Sequence, residues 1–188
     1  FFAWGRIGFD FAGRLFDAAG APLGSEMSFP DTDGFSLNFS PAVAWNGDRF
    51  LAAWCKSDPF GVRGRLFDSD GDAIGADFEI PNASCPEATA IPGGDFQLAW
   101  MNSAGLFTNR VTPTGELPDE NRKVNLAALG DHREPQVTAR TDGDIVFVWR
   151  AQGPTVNGVF TRTLTASPDI FADGFESGDT AAWTSTVP

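Results

Sequence analysis

Four tryptophans, Trp4, Trp54, Trp100 and Trp149, recur 50, 46 and 49 residues apart, and each closes a short apolar strand. Spacing that regular marks an internal repeat, in which each unit is one supersecondary element stacked on the next. Aligned on the tryptophans, the rest of the chain falls into register. A proline stands at Pro41, Pro86 and Pro135, each opening a short strand. Next come Asn46-Gly47, Gly93-Gly94 and Asp142-Gly143, then Asp48, Asp95 or Asp144, then a strand reading FLAAW, FQLAW or IVFVW. Such pairs favour positive φ at both residues, so a type I′ hairpin turn is expected at all three.

In these second strands Phe50, Ala52 and Trp54 share one face, as do Phe96, Leu98 and Trp100, and Ile145, Phe147 and Trp149. The opposite faces (Leu51, Ala53; Gln97, Ala99; Val146, Val148) are also mostly apolar. A period-two strand that is apolar on both sides is expected between two layers. The tryptophans therefore read as core, the alternative being exposed ligand platforms. A third strand follows as FAGRLFD (11–17) and VRGRLFD (62–68), with copies LFTNRVT and VFTRTLT. Gly20, Gly71 and Gly115 then suit a type I turn closed by a left-handed residue. Fourth strands appear as EMSFP, DFEIP and NRKVN.

One unit is thus four antiparallel strands in about 48 residues, the size of one propeller blade. The expected fold is all-β, a β-propeller-like array of about four four-stranded antiparallel blades, the first lacking its first strand. The units run 1–30, 41–81, 86–125 and 135–166, with a tail at 167–188. Phe1 aligns with Leu51 in mid-strand, so residues upstream of Phe1 are expected, and the chain reads as a fragment, a processed subunit or a ring closed by its own tail.

The repeated pattern Gly-Asp-Phe-x-x-x-Trp, then Arg-Leu-Phe-Asp-x-x-Gly-x-x-x-Gly, resembles propeller-like repeats of large secreted bacterial proteins over residues 1–166. The copies at 102–126 and 153–166 depart from its Arg-Leu-Phe-Asp core. The resemblance implies a fold and an exported protein, and no shared catalytic residue. The tail DIFADGFESGDTAAW is similar to a segment that recurs at the ends of bacterial exported proteins. Phe171, Phe175 and Trp183 would anchor it as a closing strand, an export or attachment signal, or a strand lent to a neighbour.

A net charge of −12 argues against nucleic acid, whose phosphates need clustered Lys and Arg, and against an anionic membrane surface. No segment reaches the roughly 18 apolar residues of a membrane span. Cys55 follows the tryptophan of one unit and Cys85 precedes the first strand of the next, on one face of a propeller. A disulfide closing about 30 residues is expected there, two thiols being the alternative; the bridge would place the protein outside the cytoplasm.

Asp68, Asp70 and Asp72, with Glu79 at position 12, match the ligand spacing of a calcium loop, the best metal candidate in the sequence. Ala73 replaces the glycine of such loops, and the equivalent loop at Asp17 lacks the extra carboxylates, so a solvated hairpin is the competing reading. Asp31, Asp33 and Gly34, and Asp173, Glu176 and Asp179 in the tail, read as solvated turns. The SGDTAAW of the tail lacks the glycine of a sialidase box, and a chain without tyrosine lacks the usual sialidase nucleophile. His132 is the only histidine and reads as a loop residue. Arg14, Arg65 and Arg162 share one repeat position. They are expected to pair with Asp17, Asp68 or turn aspartates as a ladder between units, anion binding being the alternative.

These features point to a secreted, non-enzymatic structural or adhesive protein without a cofactor. It is expected to assemble head to tail with itself through its chain ends. The alternative is a glycan-binding module or the partial propeller of a carbohydrate-active enzyme.

Overall fold

The computed structural model describes residues 2–5, 11–29, 38–125, 131–153 and 157–165. The side chains of Trp4 and His132 are outside what it describes, as are residue 166, the tail 167–188 and the loop carrying Asp31, Asp33 and Gly34. The fold is all-β, with four antiparallel sheets and no helix among the described residues. The first sheet is β1 (Phe2–Gly5), β2 (Phe11–Phe16) and β3 (Pro22–Phe29). The second is β4 (Asn38–Trp45), β5 (Arg49–Ser57), β6 (Phe60–Asp68) and β7 (Ala73–Pro81). The third is β8 (Ser84–Ala90), β9 (Phe96–Asn102), β10 (Gly105–Val111) and the short β11 (Arg122–Lys123). The last is β12 (Asp131–Ala139), β13 (Ile145–Gln152) and β14 (Asn157–Leu164). Four strands per sheet therefore hold only for the two central sheets; a fourth strand for the last unit would fall in the tail.

Each sheet is a meander, its consecutive strands lying side by side and antiparallel. Between third and fourth strands the Asp17 N–H donates to Ala21 O, the Asp68 N–H to Asp72 O and the Thr112 N–H to Glu116 O. Gly20, Gly71 and Gly115 close these turns at φ 82°, 92° and 87°. The left-handed region is where glycine has no Cβ penalty, which explains the spacing seen in the sequence.

In two of the three units the first turn lacks the expected pair of positive φ values. Two consecutive positive φ values occur at Gly93-Gly94, whereas elsewhere Gly47 or Gly143 alone has one. Side-chain acceptors explain the difference. Asn46 Oδ1 accepts from the N–H groups of Asp48 and Arg49, and Asp142 Oδ1 accepts from that of Asp144. A residue whose side chain caps the turn in this way does not itself have to enter the left-handed region.

The prolines mark a bulge. The ladder slips between Phe39 and Ala42, Ser84 and Glu87, and Arg133 and Gln136. At each slip the residue before proline lies in the left-handed region: Ser40 at φ 51°, Cys85 at 49° and Glu134 at 53°. Steric preference alone would send a pre-proline residue to extended backbone, so this conformation is held by the surrounding sheets.

The sheets stack in chain order. β1 lies against β4; β8 lies against β4, β5 and β6; β12 lies against β8, β9 and β10. Trp54, Ala52 and Phe67 join Met27 between the first two sheets. Leu51, Ala53, Cys55 and Leu66 meet Phe96, Leu98 and Trp100 between the second and third. Ala99, Met101 and Leu106 meet Phe147, Trp149 and Leu164 between the third and fourth. Trp54, Trp100 and Trp149 are thus core residues. β5 and β9 are buried on both faces, as their two-sided apolar pattern requires. β13 is not, although its sequence looks the same. Val146 is half-buried, Val148 is 36% exposed and Val159 on β14 is 75% exposed. No sheet covers that outer face among the described residues, and no closed ring is seen there.

Candidate functional site

The loop with calcium-like spacing is a capped turn. Asp68 Oδ1 accepts from the N–H groups of Asp70 and Asp72, as Asp17 Oδ1 does from those of Ala19 and Ala21. Glu79 is not brought to this loop. It pairs with Arg63 in the β6–β7 ladder, whereas Asp68 lies five residues further along β6. At roughly 3.3 Å per residue the two ends are roughly 16 Å apart. No group of three or more metal-binding side chains converges among the described residues. Replacing Asp68 with alanine is expected to cost about 1 kcal/mol through the lost turn caps. Calorimetry is expected to give no stoichiometric calcium heat; a one-to-one isotherm would contradict this assignment.

The arginine ladder takes another form. Arg65 pairs with Asp77 on the neighbouring strand of its own sheet, not with Asp68. Arg14 donates to Gly24 O, also within its sheet, at 3.0 Å. Only Arg162 crosses to another sheet, donating to Val124 O at 2.6 Å. The other crossings come from residues outside the repeat position. Arg49 donates to Pro113 O at 2.6 Å, Asn46 to Gly94 O, and Gln136 to Glu87 Oε1 at 2.9 Å.

At the far end of the β6–β7 hairpin, Glu79 accepts from Arg63 and lies 3.7 Å from the buried Lys56. The hydrogen bond from Arg63 leads in holding its carboxyl below the usual glutamate range, against the opposing effect of burial. A carboxyl depressed on folding stabilises above its unfolded pKa and loses that contribution as pH falls through its folded value. Melting temperature is therefore expected to drop more steeply below about pH 4.5 in the parent than in Glu79→Gln. Parallel slopes would contradict it.

A cleft of about 320 Å³, with polar side chains around a largely apolar surface, opens between the third and fourth sheets. Gln97, Thr108, Arg110, Asp119, Glu120 and Arg122 line it, with Ile145 and Leu164 from the last sheet. Gln97 is buried and donates to Thr108 Oγ1 at 2.5 Å, which in turn donates to Leu98 O at 2.7 Å. Arg110 spans Asp95 at 2.9 Å and Asp119 at 3.1 Å. Sequence reading missed this cleft. The available signal was Gln97 itself, a polar side chain where the neighbouring units carry Leu51 and Val146.

Cys55 is the last apolar residue in the buried run of β5, and Cys85 is the bulge residue of β8 in the next sheet. The Cys85 N–H donates to Cys55 Sγ at 2.9 Å. Both are thiols here, so the expected pairing is present as proximity and not as a bond. A hydrogen bond from Cys55 draws the Cys85 thiol down to about 6; burial opposes this, Ser84 assists, and the charge of Glu134 opposes. Cys55 moves upward, through the same bond and through burial.

No protein-family profile matches the chain, and no curated protein does. A crystal structure of a protein of unknown function from Bacteroides caccae is similar at 13% identity and a TM-score of 0.45. The match covers 85% of this chain and 55% of that one, so this chain spans about half of that structure's length. A likeness at that distance carries no argument about function.

Proposed function

We propose that the chain is a non-enzymatic structural or adhesive module of a secreted bacterial protein, its four sheets being the blades of a propeller-like array. The observation that carries this reading is how the polar side chains are used. Asp17, Asp68 and Asn46 cap their own turns, and Arg63 and Arg65 staple one hairpin to Glu79 and Asp77. Arg49, Gln136 and Arg162 tie one sheet to the next. What recurs from unit to unit is stacking, not a reactive group.

The outer face of the last sheet, where Val148 and Val159 are exposed and no other described sheet lies, favours head-to-tail assembly into an extracellular fibre, with Phe171, Phe175 and Trp183 of the tail proposed as the donated anchor. Negative-stain microscopy and sedimentation of the intact chain test this. Filaments that vanish when residues 167–188 are deleted are the expected result, and dispersed monomers at high concentration would overturn it. The cleft at Gln97 favours a second reading, a glycan-binding module, because amide, guanidinium and carboxylate groups over an apolar floor suit a polyol. It has no aromatic platform, which keeps this reading second. A glycan array whose hits are abolished by Arg122→Ala would favour it over the scaffold.

A further inference from the structure

The two cysteines occupy repeat positions that carry no second sulfur pair elsewhere. Cys55 follows the second-strand tryptophan, and Cys85 is the left-handed residue before the proline. At the next interface those positions hold Met101 and Glu134, and at the preceding one Gly5 and Ser40. Only the joint between the second and third sheets therefore sets two thiols against each other. Cys55 is wholly buried in the apolar cluster, while Cys85 stands half-buried at its rim. A reagent arriving from solvent reaches Cys85 first, with Cys55 behind it, as a reactive and a resolving thiol require.

We propose that Cys85 and Cys55 form a redox-sensitive clamp between the second and third sheets, Cys85 attacking an organic disulfide and Cys55 resolving the mixed disulfide. In the first step Cys85 Sγ bonds to one sulfur of the reagent, whose S–S bond breaks and releases a thiolate. In the second, Cys55 gives up its proton to a departing thiolate, and its sulfur bonds to Cys85 Sγ, expelling the other half of the reagent. The two protein thiols become one disulfide and the reagent becomes two thiols, so electrons and protons balance. The groups facing Cys85 shape its first step. The Cys55 thiol and the Ser84 hydroxyl favour the thiolate, while burial and the charge of Glu134 oppose it, and Glu87 lies close enough to feel that thiolate. The result joins residues 55 and 85 across the joint with the largest apolar cluster among the described residues.

An aromatic disulfide, 5,5′-dithiobis(2-nitrobenzoate), tests the clamp on the intact chain at pH 7, read by released chromophore and intact mass. The parent is expected to release about two equivalents, keep no adduct, lose about 2 Da and link Cys55 to Cys85 in a non-reducing peptide map. Its melting temperature is expected to rise by about 5–10 °C over the reduced form. Cys55→Ser is expected to release about one equivalent and keep the adduct on Cys85, and Cys85→Ser to react only after denaturation. The first release is expected to be half-maximal near pH 6. A parent chain that keeps two adducts, shows no cross-link, or reacts first at Cys55 would overturn the proposal. These readouts on the parent depend neither on variant folding nor on whether the chain forms fibres.

Discussion

Replacing Trp100 with alanine is expected to destabilise the fold by about 3–5 kcal/mol, the transfer energy of the indole plus the cavity it leaves. Trp100 is 2% exposed and lies in the cluster shared by the second and third sheets. Its ring stacks on Phe107, the residue directly opposite on β10, with centroids 6.5 Å apart. Backbone is close on both sides, because β9 is buried on both faces, so little can collapse into the hole. Trp149 occupies the same repeat position and stacks likewise on Phe160 at 6.1 Å, but its sheet has one open face. Trp149→Ala is therefore expected to cost less. Urea unfolding followed by far-UV circular dichroism measures both, and equal losses would mean that two-sided burial adds nothing at this position.

Gly105→Ala is expected to cost about 2–6 kcal/mol, and its mechanism is separable. Gly105 has φ 137°, a conformation that L side chains rarely adopt and that adds about 1–3 kcal/mol of strain. Its new Cβ would also run into the side chain of Asn125. That side chain is buried, and its Oδ1 accepts from the Leu106 N–H at 2.8 Å, while the Val124 N–H donates to Leu106 O at 2.8 Å. Displacing Asn125 leaves the buried Leu106 N–H unpaired, a further penalty of about 1–3 kcal/mol. Combining Gly105→Ala with Asn125→Ala removes the collision, so the pair is expected to lose less than the sum of the singles. Strict additivity would leave backbone strain as the whole effect.

Features set by the local backbone were legible in the sequence. Glycine at a fixed offset after the third strand predicts a left-handed turn residue, and Gly20, Gly71 and Gly115 supply it. Two-sided apolar strands predict a layered core, and β5 and β9 are buried that way. Features set by what stands opposite were not. Val146 and Val148 read like Leu51 and Ala53, but burial needs a covering sheet, and a strand's own residues do not say whether one is there. The repeat position of Arg65 suggests a ladder between units to Asp17, Asp68 or turn aspartates; the neighbouring strand of its own sheet instead offers Asp77. The same geometry sends Glu79 to the opposite end of its hairpin from Asp68. The pre-proline bulge was hidden because proline's known effect on its neighbour predicts the opposite conformation. In the candidate sites, the cysteine pair was legible from repeat alignment. The cleft at Gln97 was not, because its lining residues come from five strands and a loop in two different sheets.

The stacking in chain order has a consequence for how the fold fails. Among the described residues, substantial contacts between sheets join consecutive ones, so cooperativity passes along the stack one joint at a time. Arrays of this kind need about three units to bury a continuous core. Opening the joint between the second and third sheets would leave two pairs, each below that number, whereas opening an end joint leaves three sheets together. The middle joint is thus the keystone of the column, and it is where Trp100, Cys55 and Cys85 all lie.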